Sequence, residues 1–175
     1  TLNFENLNIT EKFNGPIVLV CASKIYKGGK LALKLAEQMP SKLFKLYLNE
    51  DYFFNYQLPK NFEVFIKHND IKNALIEASI CLNLTQKNLT QETFGLTIWE
   101  GLTQGTPVIV PDVGGPLEII DNPGCISCDT RDINQVIDGI SKILDNKSKY
   151  SDYCQGAINR SKILSNLNKI TKINP

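Results

Sequence analysis

Short apolar runs bounded by turn signals alternate along this chain with segments of helical spacing, and that alternation leaves few architectures open. Ile17 to Ser23, Leu43 to Leu48, Phe62 to Ile66, Ile80 to Leu84, Val108 to Pro111 and Cys125 to Cys128 read as strands. Lys30 to Met39, Ile71 to Ala78, Phe94 to Gln104 and Ile133 to Leu144 read as helices, followed by helical segments within Ser151 to Ile163 and Leu164 to Ile173. A parallel crossover needs a helix's worth of chain, so strands spaced in this way predict a parallel sheet covered on both faces. The expected fold is α/β, a doubly wound, Rossmann-like parallel sheet of about six strands with C-terminal helices. Ligands of such sheets sit beyond the carboxyl ends of the strands, so the loops after Ser23, Leu84 and Pro111 are expected to converge.

The 175 residues, 42% of them apolar, suffice for one core. A single domain over 16–175 is expected, entered through a linker over 1–15 that closes on Asn14-Gly15-Pro16. The formal charge of +1 comes without a basic stripe, which argues against a nucleic-acid partner. No apolar run approaches the ~20 residues that span a bilayer, and no charged-then-apolar leader opens the chain. A cytoplasmic protein is expected, with any membrane association left to another domain. A start at Thr1 and a lone Met39 suggest a piece of something longer.

Five cysteines scattered through apolar segments suit a reducing compartment, and no disulfide is expected. Cys125-Ile-Ser-Cys128 is an isolated CxxC that reads as a short buried strand, since zinc or redox use would need a second pair or a helix start. His68 is the only histidine, with no further ligands at metal spacing. Neither a Ser-His-Asp arrangement nor an Asp-x-Asp pair is present.

The chemistry concentrates between Gln91 and Gly115. The helix expected to begin near Thr93-Phe94-Gly95 offers amides without an intrahelical partner, and a phosphate there would accept from groups such as the Gly95 and Leu96 amides. Glu92 stands just outside that helix and would meet whatever lies beyond the phosphate. Glu100 follows eight positions later, up to ~12 Å away along a helix. It sits among Leu96, Ile98, Trp99 and Leu102, where a carboxylate without a partner is costly to bury. Asp112-Val-Gly114-Gly115 forms either a plain turn or an amide cradle for an anion, and Glu118 is either a helix-start residue or a ligand. After the first strand, Lys24 and Lys27 precede a glycine pair where a phosphate fits. The loop matches neither GxGxxG nor GxxxxGK[ST], against a dehydrogenase or an ATPase.

On these residues the chain resembles the C-terminal, nucleotide-sugar-binding domain of the retaining group 1 glycosyltransferases, the glycogen-synthase-like family of GT-B architecture. The resemblance covers about Ile17 to Leu164: a Lys-Gly after the first strand, Glu92-Thr-Phe-Gly-Leu through Glu100, Gly105-Thr-Pro-Val, and Gly114-Gly115-Pro-Leu-Glu-Ile-Ile. It implies that Glu92 and Lys27 serve the reaction, Glu92 at the donor-sugar hydroxyls and Lys27 at the diphosphate. It further implies donor contacts from Lys24, Phe94, Gly95, Leu96, Gly114 and Gly115, with Glu100 on the ribose hydroxyls. Where the family commonly carries an arginine five residues before the lysine, this chain has Ala22; Lys24 compensates or donor affinity is lower.

The implied reaction moves a sugar from a nucleoside diphosphate sugar to an acceptor hydroxyl with retained configuration, and requires no metal or other cofactor. The acceptor, a glycan or a lipid-linked glycan as in polysaccharide biosynthesis, would bind an N-terminal domain outside these residues. The fragment alone is then expected to bind donor with little or no transfer. Two other readings share the fold: a GT-B nucleotide-sugar epimerase, and a non-catalytic α/β binding module.

Overall fold

The computed structural model describes residues 3–21, 27–50, 53, 55–67, 70–86, 95–120 and 123–171. Six strands form one sheet: β1 (Ile17–Cys21), β2 (Phe44–Leu48), β3 (Phe62–Ile66), β4 (Ile80–Leu82), β5 (Val108–Pro111) and β6 (Cys125–Cys128). All pairings are parallel, in the order β3-β2-β1-β4-β5-β6. Among the described residues, seven α-helices accompany them: α1 (Ile9–Phe13), α2 (Gly29–Gln38), α3 (Ile71–Glu77), α4 (Leu96–Thr103), α5 (Pro116–Ile119), α6 (Ile133–Ile143) and α7 (Lys147–Thr171).

Alternation along the strands divides the apolar residues between two cores. Ile17, Leu19, Phe44, Leu46, Ile80, Leu82 and Ile109 pack on one face with Leu35 and Ala36 of α2 and Val136 and Ile140 of α6. Val18, Cys81, Val108 and Val110 pack on the other with Leu75 of α3, Ile98 and Leu102 of α4 and Ile119 of α5. Burial on both sides explains why the central strands β1, β4 and β5 read as continuous apolar runs, whereas Lys45 and Glu63 occupy less buried positions of β2 and β3. Cys125 belongs to the second core and Cys128 to the first. Their side chains therefore leave opposite faces of β6, which excludes a disulfide or a shared metal between them.

Two boundaries differ instructively from the sequence reading. The helix expected from Phe94 begins at Leu96, because Gly95 adopts the left-handed conformation (φ 64°) outside it. The two closing helical segments are one continuous α7. No proline interrupts 147–171, and the one glycine, Gly156, is tolerated because it faces backbone.

Within the stretch read as linker, α1 is folded onto the sheet's amino-terminal edge. Asn8 caps it by accepting from the Glu11 amide at 3.3 Å. Phe13 meets Tyr150 of α7 edge to face, with 5.2 Å between ring centroids, and the Tyr150 hydroxyl donates to the Ser79 carbonyl at 2.9 Å. Lys12 is only 3% exposed. Its ammonium donates to the carbonyls of Leu75 (3.0 Å) and Ile76 (2.8 Å) and to the Thr106 hydroxyl (2.7 Å). The two carbonyls belong to the last turn of α3, where a cation also complements the helix dipole.

Burial lowers the Lys12 pKa from 10.5 to about 8, against weaker opposing effects of Cys154 and Cys81. Between these pH values the unfolded chain holds a proton that the folded chain has released. The unfolded state then binds more protons, so this group makes stability rise from pH 8 towards 10.5, by on the order of 3 kcal/mol in all. The thiols of Cys81, Cys128 and Cys154, raised by burial to about 12, 11 and 11, act in the opposite direction. The effect is therefore isolated by comparison: denaturant midpoints of the wild-type chain should gain on those of Lys12→Met over this window. Parallel pH profiles for the two proteins would contradict the assignment.

Candidate functional site

The strand order reverses between β1 and β4. The helix after β1, α2, covers one face of the sheet, and the helix after β4, α4, covers the other. A crevice opens at the carboxyl ends of two strands whose crossovers part in this way. Both helices begin there from a glycine of positive φ, Gly28 at 87° and Gly95 at 64°, and neither has a side-chain cap. Their first amides have no acceptor within the helix, so two helix dipoles present their positive ends to one crevice.

The loops at this rim are tied together. A Cβ built on Gly28 would lie 2.3 Å from the Leu84 Cβ and 2.7 Å from its carbonyl oxygen, so the β1 loop rests directly on the β4 loop. The Asn83 amide donates to the Ile109 carbonyl at 2.8 Å, and its side-chain oxygen accepts from the Thr85 amide at 3.1 Å. The buried Thr130 hydroxyl donates to the Thr85 carbonyl at 2.9 Å, bringing in the loop after β6. The Asp112 amide donates to the Cys128 carbonyl at 2.9 Å. The loops after β1, β4, β5 and β6 thus form one connected edge.

Lys27 stands half-buried immediately before Gly28. Leu96, the first residue of α4, is 58% exposed, a large apolar side chain left in solvent at the crevice. Gly114 (φ 77°) and Gly115 form the turn after β5, and their carbonyls accept from Leu117 and Glu118 as α5 begins. Glu118 makes no side-chain cap; its carbonyl accepts from Arg160 of α7 at 2.8 Å.

Glu100 lies one turn into α4 and faces the groove between α4 and α3. With Ile71, Lys72, Leu75, Thr103 and Gln104 it lines a cleft of about 170 Å³. Its carboxylate is half-buried, and desolvation raises its pKa. Among the described residues, no hydrogen bond or ion pair to this carboxylate accompanies that burial. A group that donates to it would relieve the cost. Its backbone is held by the Thr103 hydroxyl, which donates to the Glu100 carbonyl at 2.7 Å and accepts from the Gln104 side-chain Nε2 at 3.1 Å.

Lys27, Gly95, Leu96, Gly114 and Gly115 therefore share the carboxyl-end rim, with Glu100 one helical turn below it. Lys24, Ala22, Glu92, Phe94 and His68 lie outside the described residues. Asn83, Thr85 and Thr130, which lock the loops together, were not singled out by sequence reading. The available signal was a pair of polar residues interrupting the apolar run from Ile80 to Leu84 and continuing it to Thr85.

Among the described residues, no group of three or more histidine, cysteine or acidic side chains is placed to hold a metal ion. Among the same residues, no helix is long and apolar enough to cross a membrane.

The family model described as glycosyl transferases group 1 matches residues 17–160. No curated protein matches by sequence. The fold is similar to that of Anabaena HepE, crystallised in complex with UDP: TM-score 0.77 and 14% identity, covering 97% of this chain and 50% of that one. It is similar to sucrose-phosphate synthase from Thermosynechococcus elongatus, with TM-score 0.73 and 19% identity over 93% of this chain and 46% of the synthase. A third similar structure is the C-terminal domain of a group 1 family glycosyl transferase, LpcC, from Francisella tularensis. That likeness has TM-score 0.67 and 13% identity, and covers 93% of this chain and 97% of the LpcC domain. The chain thus spans about half the length of HepE and of the synthase.

Proposed function

The chain belongs to the group 1 glycosyl transferases, and from that membership we propose that it is the donor-binding half of a retaining enzyme that uses a nucleoside diphosphate sugar. The observation that carries this reading is the crevice between β1 and β4, where two uncapped helix starts, Gly28 and Gly95, flank one edge while a half-buried carboxylate without a described partner waits below it. The first feature suits a diphosphate and the second suits vicinal hydroxyls.

In this proposal the Gly95 and Leu96 amides, with Lys27 and Lys24, hold the diphosphate, and Glu100 accepts from the ribose hydroxyls. Glu92 and Phe94 meet the donor sugar, and the Gly114-Gly115 turn closes the anion site. The bond from the anomeric carbon to the diphosphate breaks as a bond to the acceptor oxygen forms on the same face of the sugar, and the hydroxyl proton passes to the departing diphosphate. Negative charge grows on the leaving diphosphate. Helix-start amides and Lys27 stabilise it from fixed positions, the role of preorganised dipoles in catalysis, with no metal ion assigned a part. Coverage of about half of HepE and of the synthase supports assigning the acceptor, a glycan or lipid-linked glycan, to a second domain.

Titration of the chain with UDP, GDP, ADP and their sugar conjugates tests the proposal. At least one nucleoside diphosphate should bind, and a folded sample that binds none would overturn it. Glu100→Ala should then weaken that nucleotide by ~1 to 3 kcal/mol through lost hydrogen bonds to ribose, and inorganic pyrophosphate far less. Equal losses for both ligands would contradict the role of Glu100.

A further inference from the structure

Lys12 is remote from the crevice in sequence and lies at the opposite edge of the sheet, yet it reaches both walls of the Glu100 cleft. One wall is α3, through Ile71, Lys72 and Leu75; the other is α4 with its closing turn, through Glu100, Thr103 and Gln104. The ammonium donates to the carbonyls of Leu75 and Ile76 on the first wall. It also donates to the Thr106 hydroxyl, two residues beyond Gln104 on the second. That hydroxyl donates in turn to the Leu75 carbonyl at 2.6 Å, and the Thr106 amide donates to the Gly101 carbonyl at 3.0 Å. Leu75 thus contributes its carbonyl to this buried clamp and its side chain to the cleft.

We propose that Lys12 and Thr106 act as positioning residues for nucleoside recognition, fixing the separation of α3 and α4 so that the cleft presents Glu100 to a ribose. The inference rests on the nucleotide reading above. All three ammonium hydrogens have acceptors and the side chain is almost fully buried, so the clamp has one favourable arrangement. Removing the ammonium takes a donor from the Leu75 and Ile76 carbonyls and from the Thr106 oxygen, leaving the Leu75 carbonyl with the Thr106 hydroxyl, and the ends of α3 and α4 then relax relative to each other. The diphosphate site is built from helix starts at the far edge of the sheet and does not depend on the clamp. Loss of the clamp therefore weakens nucleoside-bearing ligands selectively.

The test uses the 175-residue chain at pH 7, titrated with the tightest-binding of UDP, GDP and ADP and, separately, with inorganic pyrophosphate. Lys12→Met should lower affinity for the nucleoside diphosphate about five- to tenfold, the scale of coupling through packed networks, and leave pyrophosphate within about twofold. Thr106→Val should shift the same ligand in the same direction, and Thr106→Ser, which keeps the hydroxyl, should restore wild-type affinity. If Lys12→Met does not fold, the Thr106 pair decides. Folded variants that bind the nucleoside diphosphate as tightly as wild type, or that lose pyrophosphate equally, overturn the proposal. Failure of the wild-type chain to bind any nucleoside diphosphate would instead remove the reading on which it rests.

Discussion

Gly28→Ala should reduce nucleoside diphosphate affinity by more than tenfold while leaving a folded protein. Gly28 has φ 87°, and an L residue forced into that region costs roughly 1–2 kcal/mol before any contact is counted. The added Cβ would also stand 2.3 Å from the Leu84 Cβ and 2.7 Å from the Leu84 carbonyl oxygen. Neither is the free end of a flexible side chain, so the β1 loop must lift from the β4 loop. That movement carries Lys27 and the start of α2 away from the crevice. Gly29→Ala is the control, because its Cβ would meet the Phe53 ring at 3.5 Å and the Leu46 side chain at 3.7 Å, both ordinary contacts. Calorimetric titration of both variants separates the outcomes: a Gly28→Ala protein that binds like wild type would mean that the two loops need not touch for function.

Gly156→Ala should destabilise the fold by at least ~2 to 3 kcal/mol, the cost of forcing an atom into a closed contact. In an exposed helix this exchange normally gains about 1 kcal/mol. Here the new Cβ would lie 1.7 Å from the Pro123 carbonyl oxygen and 2.2 Å from its carbon. The approach is mutual, since a Cβ on Gly124 would lie 2.5 Å from the Ala157 amide nitrogen. α7 therefore crosses the entry to β6 backbone against backbone, and it must pull away from both cores to admit a methyl group. Tyr150 and Cys154 in one core and Ala157 in the other would lose packing together. A thermal melt should show a fall of roughly 4–12 °C for a chain of this size. Gly139→Ala in α6 meets only side chains, Ile109 at 3.3 Å and Ile126 at 3.5 Å, and should be much milder. A Gly156→Ala melt at or above the wild-type value would contradict the close crossing.

The strand pattern was legible because burial on both faces makes the central strands β1, β4 and β5 apolar runs, and β2 and β3 stay mostly apolar around Lys45 and Glu63. The bounds of β3, β5 and β6 agree with those runs residue for residue. Elements ended by a glycine were less so: Gly95 fits helical composition, and only its positive φ removes it from α4. Glu100 could be singled out because an acid among Leu96, Ile98 and Leu102 implies an unmet electrostatic need, and its carboxylate is half-buried, with desolvation raising its pKa. Lys12 could not. In Ile9-Thr-Glu-Lys-Phe13 it reads as an ordinary surface lysine, and its burial depends on acceptors 63, 64 and 94 positions away. The same holds for Gly28: the sequence marks a flexible phosphate loop, whereas the fold also requires the missing side chain for contact with Leu84.

Backbone amide spectra recorded while the chain is titrated with its preferred nucleoside diphosphate test the central claim most directly. The account predicts saturable shifts centred on Lys27 to Gly29, Gly95 to Glu100 and Asp112 to Gly115, with Glu100→Ala reducing the response around position 100 and along α3 and leaving that of Gly95 and Leu96. Shifts confined elsewhere, for example to the groove of about 620 Å³ beside β6 that Pro123, Ser127, Lys142 and Tyr153 line, would contradict it.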